Sequence, residues 1–114
     1  MALIYHMTTK QAWAAVDPAV GYQPPSLSSE GFIHLSTLDQ ILGTANTIYH
    51  GQQDSIILCV DESRVEAKVV YEDCYETQQD FPHIYGPLMP SAVVKVVDFP
   101  CAADGSFTLP AGLA

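Results

Sequence analysis

The chain reads as an α+β protein with a mostly antiparallel sheet system. Three observations predict this. Short apolar blocks, alternating or continuous, are bounded by Gly, Pro and Asp, as strands are. Only two stretches show the three- and four-residue spacing of a helix. Strands dominate the second half, for a total of about six strands and two helices in 114 residues.

Residues 2–7 predict the first strand, with Ala2, Ile4 and His6 on one face and Leu3, Tyr5 and Met7 on the other. Thr8, with Gln11 three residues on, fits a capping box. The helix it opens runs to about Asp17, ahead of Pro18, with Ala12, Trp13 and Val16 as its apolar stripe. Pro18, Gly21, Pro24 and Pro25 then break regular structure; residues 20–23 read as a short extended piece and 26–29 as a loop or single turn. That stiffened segment is either one wall of a cleft or a plain surface connection.

Residues 30–36, EGFIHLS, read as a short strand that ends on a helix cap, with Ser36 as the capping hydroxyl. Ile33 and Leu35 point one way, and Phe32, His34 and Ser36 the other. His34 is then either a ligand contact facing a cleft or a core histidine satisfied by backbone. His6 has the same placement, at a strand-to-helix junction. The clearest helix follows: Leu38, Ile41, Leu42, Ala45, Ile48 and Tyr49 form its stripe. Asp39 complements the dipole in the first turn, and Gly51 caps the end. His50, beside that cap, reads as a solvated residue without a functional role.

The run SIILCV at 55–60 predicts a central strand. Residues 61–64 read as a turn. Residues 68–72 form a further strand, Val69 and Tyr71 opposite Lys68, Val70 and Glu72. Residues 73–80 are a polar, acidic loop. In FPHIYGPL, 81–88, Pro82 forces Phe81 to be extended. If the middle is extended too, His83 and Tyr85 share a face, as a ligand wall or as a packed aromatic corner. Residues 91–99 predict a strong strand, with Ala92, Val94 and Val96 opposite Val93, Lys95, Val97 and Phe99. A short edge strand at 106–109 follows the Asp104–Gly105 turn, and the chain is loose from Pro110.

Composition bounds function. With 48% hydrophobic and 15% charged residues the chain has the makings of one folded domain. The net charge is −9, and the four cations, Lys10, Arg64, Lys68 and Lys95, do not cluster. Nucleic acid and anionic membrane surfaces are therefore disfavoured partners, although backbone N–H groups at a helix start can still hold a small anion. There is no membrane-spanning apolar run and no signal-peptide pattern, which predicts a cytoplasmic location. Three cysteines without a C-x-x-C pair predict neither a disulfide framework nor a zinc knuckle. The histidines lack paired ligand spacing, so no metal is expected, a three-histidine zinc site being the lesser alternative.

IYHMTT, EGFIHLS and FPHIYGPL, in this order, resemble the bacterial family called domain of unknown function 952 over nearly the whole chain. More distantly, Tyr5-His6-x-Thr8, and His34-Leu35-Ser36 followed by a helix and SIILCVD, resemble the ADP-ribosyltransferase-like superfamily in its RNA 2′-phosphotransferase branch. That resemblance implies two small split antiparallel sheets with two helices. It also implies a single domain over 1–110 with a tail at 111–114, and NAD or an ADP-ribose-like nucleotide in the crevice. It places His6 at the nicotinamide-side ribose and His34 in the nicotinamide pocket. Tyr5, Thr8, Ser36 and Tyr85 complete the implied ligand contacts; His83 and Glu72 join the histidines as candidate catalytic groups. Met7 stands where the superfamily has Gly, and the basic RNA-phosphate residues have no counterparts. The expected function is therefore nucleotide binding by a monomer or weak homo-oligomer. ADP-ribosyl transfer or NAD glycohydrolysis is the enzymatic version, and a non-catalytic nucleotide- or protein-binding module the alternative.

Overall fold

A computed structural model describes residues 3–73, 78–110 and 112–113. The chain forms two three-stranded antiparallel sheets. In chain order the elements are β1 (Leu3–Thr9), α1 (Lys10–Ala14), α2 (Pro25–Ser29), β2 (Ile33–His34), α3 (Leu38–Ile48), β3 (Ser55–Asp61), β4 (Lys68–Glu72), β5 (Phe81–Tyr85) and β6 (Val93–Asp98). Single 3₁₀ turns at Glu62–Arg64 and Pro90–Ala92 follow β3 and precede β6. The first sheet has the order β1-β3-β6 and the second β2-β5-β4. A backbone bridge joins them: the Tyr5 N–H donates to the Ser36 carbonyl at 2.8 Å, and the Ser36 N–H to the Tyr5 carbonyl at 2.7 Å. Among the described residues no helix is long and apolar enough to cross a membrane.

The central strand β3 is buried along its whole length, as an unbroken apolar run requires. Its two faces serve two cores. Ile56, Leu58 and Val60 pack with Ile4 of β1 against Ile33, Leu35 and Ile84 from the second sheet. Ile57 and Cys59 pack with Tyr5 and Met7 against Ile41 and Ala45 of α3, and against Phe99 and Phe107. The first sheet is thus the middle layer, with α3 on one side and the second sheet on the other.

Several local readings are corrected. The cap of α1 is Thr9, which accepts from the Ala12 N–H at 3.1 Å, and the helix stops at Ala14. The cap of α3 is Thr37, whose capping box is closed by Gln40, because Ser36 is already committed to the bridge. Residues 25–29 form a short helix that starts on Pro25. Of 20–23 only Tyr22 pairs, with Leu88, where Gly21 takes φ +93° and leaves no room for a side chain beside Met89. Residues 81–85 are an ordinary strand in the middle of the second sheet. In β6 a bulge opposite Cys59 and Val60 breaks the alternation. Val93 consequently packs in the inter-sheet core while Val97 and Phe99 face α3. No strand forms at 106–109. The Phe107 backbone is satisfied instead by the Asn46 amide, which accepts from its N–H at 2.8 Å and donates to its carbonyl at 3.2 Å. Leu113, expected in a loose tail, is buried against the α3 side.

Candidate functional site

The outer face of the second sheet mixes polar side chains with Phe81 and Val70. β5 alternates, so Ile84 enters the core while His83 and Tyr85 face outward. β2 does the same, with Ile33 inward, and pairs His34 directly with His83. β4 brings Glu72 to the same face, opposite Phe81. The result is a chain of side chains. His83 donates from Nδ1 to the Glu72 carboxylate Oε1 at 2.8 Å, and the Tyr85 hydroxyl donates to that same oxygen. On its other side His83 Nε2 lies 3.2 Å from His34 Nδ1. His83 is 0% exposed, whereas the Glu72 side chain is 28% exposed. Phe32 stacks on the His83 ring at 4.0 Å between centroids and only 10° between planes, which fixes the imidazole orientation.

Hydrogen-bond chemistry assigns the protons. A carboxylate only accepts, so His83 carries its proton on Nδ1. Its Nε2 and His34 Nδ1 share one hydrogen across their 3.2 Å contact. Burial first, and then the neighbouring His83 and His6, push the His34 pKa down to about 4. Its ring is therefore neutral near pH 7. Carboxylate, first imidazole and second imidazole thus form one hydrogen-bonded chain from Glu72 through His83 to His34.

His6 is joined through the backbone. Its Nδ1–H donates to the His34 carbonyl at 2.7 Å, and its Nε2 lies 2.8 Å from the Tyr22 hydroxyl. Since the carbonyl takes the Nδ1 proton, Nε2 must accept from Tyr22. Thr8 Oγ1 stands 3.1 Å from that phenol oxygen. His6 is 7% exposed, and burial pushes its pKa down to about 4.

Two hollows adjoin these histidines. A cavity of about 270 Å³ lies between α3 and the β2–β5 end, lined by His34 and Phe81 and by Asp39, Gln40, Thr44 and Thr47 among others. A second, of about 260 Å³, is lined by His6, Thr8, Tyr22 and Tyr49 with Pro24 and Pro25. The structure therefore brings His6, His34, His83, Glu72 and Tyr85 into one connected arrangement but opens His6 and His34 onto different hollows. Glu72 is engaged by His83 and Tyr85 and is not among the described residues lining either hollow. The Tyr5 side chain enters the α3-side core, and Ser36 Oγ pairs with Thr44 Oγ1 at 3.1 Å. Among the described residues no group of three or more His, Cys, Asp or Glu side chains is placed to hold a metal ion.

Sequence reading missed the α3 contribution. Gln40, Thr44 and Thr47 recur at helical spacing beside the apolar stripe of Ile41 and Ala45. That polar stripe, facing a histidine-bearing strand, was the available signal. Tyr22 carried no comparable signal, because its contact with His6 spans 16 residues of irregular chain.

These features define a two-sheet α+β protein with a hydrogen-bonded carboxylate–histidine–histidine chain beside a small cavity. Residues 7–96 match the family described as "Protein of unknown function (DUF952)", and the chain belongs to that family. The crystal structure of protein CC0527 from Caulobacter crescentus is similar, with a TM-score of 0.84 and 29% identity over 95% of both chains. A double-methionine variant of it gives 0.83, at the same identity and coverage. Its solution structure gives 0.68 at 28% identity, over 92% of this chain and 90% of that one. No curated protein matches the chain.

Proposed function

We propose that the chain binds a ribose-bearing metabolite of the NAD or ADP-ribose kind, with the base–ribose end seated beside His34. The observation that carries this is the His34 ring, oriented by Glu72 through His83 and lining a cavity with Gln40, Thr44 and Thr47. The Thr44 and Thr47 hydroxyls can both donate to and accept from sugar hydroxyls. Phe81 and Ile48 add apolar wall for a flat ring. At about 270 Å³ the cavity is near the lower end of ligand pockets, roughly 300–1,000 Å³. It suits one base–ribose unit rather than a whole dinucleotide. The distant likeness of the Tyr5-His6-x-Thr8 and His34-Leu35-Ser36 segments to the ADP-ribosyltransferase-like superfamily supports the same ligand class.

Equilibrium dialysis with NAD, ADP-ribose and nicotinamide riboside tests the proposal. Saturable binding of at least one of them is expected, weakened tenfold or more by His34→Ala in protein that keeps its circular dichroism spectrum. Absence of saturable binding for all three, or equal binding by the variant, contradicts it. Nicotinamide released from NAD over time would mark turnover in addition to binding.

A further inference from the structure

The cavity beside His34 has an electrostatic character that the base–ribose reading does not require. Its described lining contains a carboxylate, Asp39, and no Lys or Arg. The sequence places all four cations of the chain among the described residues, and each stands elsewhere. Lys10 pairs with Asp98 at 3.8 Å, and Arg64 with Asp61 at 3.4 Å. The Lys95 ammonium donates to the Gly112 carbonyl, and Lys68 is exposed at the start of β4. Near the cavity, the start of α3 is a described feature that could attract an anion. Asp39 sits in that first turn and opposes it. The surrounding molecule adds a net charge of −9, whose field raises cation concentration at the surface and lowers that of anions.

We infer that this cavity selects a phosphate-free N-glycoside of neutral or positive charge, of the nicotinamide riboside type, and discriminates against nucleoside diphosphates. The inference rests on the base–ribose reading above and narrows its ligand class. Nothing among the cavity's described residues would neutralise a pyrophosphate at the mouth, and a buried or half-buried anion without a partner is disfavoured. A pyridinium riboside instead brings a positive charge toward Asp39 and hydroxyls toward Thr44 and Thr47, with the His34 ring as part of the wall.

The test compares dissociation constants for nicotinamide riboside, NAD and ADP-ribose on the intact protein at about 20 mM and about 500 mM salt, conditions that differ strongly in screening. At low salt nicotinamide riboside is expected to bind at least tenfold more tightly than ADP-ribose, with NAD between them. The ratio is expected to shrink severalfold at high salt. Asp39→Asn, an exposed helix position tolerant of the change, is expected to shrink it severalfold at low salt as well. ADP-ribose or NAD binding as tightly as nicotinamide riboside overturns the charge selection while leaving the base–ribose site standing. So does a ratio indifferent to salt or to Asp39→Asn. If none of the three binds, both readings fall.

Discussion

The two sheets are built to different rules. In the first, β3 carries apolar side chains on both faces, and each face meets a core. In the second, the inward face is apolar, while the outward face mixes Phe81 and Val70 with His34, Glu72, His83 and Tyr85. Apolar burial dominates along β3, although His6 and Thr8 of β1 are buried polar groups held by the His34 carbonyl and Tyr22. The second sheet must bury polar groups as well, and a buried polar group is tolerated only when its partners are in place. The hydrogen-bonded chain from Glu72 through His83 to His34 supplies such partners. The comparison teaches that β3 is apolar scaffold, whereas the second sheet gathers a hydrogen-bonded chain of ionisable side chains on its outward face.

The largest expected effect breaks the scaffold. Leu58 is fully buried between the sheets, and Leu58→Ala should cost about 3 kcal/mol, within the range of roughly 2–5 for such truncations. Urea denaturation reads this, while the ligand preference among the molecules that survive folding stays unchanged. A similar loss should follow acidification. Burial holds the His6 pKa near 4, against an ordinary value of about 6.5 in the unfolded chain. The unfolded chain therefore takes up a proton that the folded one refuses. This contribution is complete above about pH 6.5 and is lost as pH falls toward about 4, amounting to about 3 kcal/mol for His6. His34, shifted the same way, steepens the decline. Thermal melts between pH 7 and 4 check the sign; stability that rises on acidification would refute it.

On the second sheet the expected losses are smaller and more local. His83→Gln should cost about 2 kcal/mol, because Glu72 loses a charge-assisted partner and Phe32 its stacking face. It should also weaken ligand binding through His34, which Leu58→Ala should not do. Tyr22→Phe should cost about 1 kcal/mol by removing the donor to His6 Nε2. It should raise the His6 pKa little, since burial is the first cause of that shift. Histidine titration followed by NMR distinguishes these two variants.

Legibility in the sequence divides along the same line. The scaffold was readable: the run at 55–60 and the alternation at 2–7 each map onto one strand, and the long amphipathic helix is α3. His83 and Tyr85 were correctly placed on one face of an extended segment, and Glu72 on the matching face of its strand. What escaped was long-range or degenerate. Ser36 and Thr37 are adjacent hydroxyls, and local capping preference favours Ser; the bridge to Tyr5 places the cap at Thr37 instead. The bulge in β6 leaves no mark in a run of valines. A side-chain amide replaces a strand partner at Phe107, which no local pattern signals. The cavity needs α3 and β2 side by side, so its threonines became visible only when the chain was folded.

The most direct test follows the ring ¹H and ¹⁵N resonances of His6, His34, His50 and His83 during addition of nicotinamide riboside. A neutral His34 is expected, with saturable shifts at His34, smaller coupled shifts at His83, and a silent His50. Shifts at His50 alone, or a His34 ring indifferent to the ligand, would contradict this.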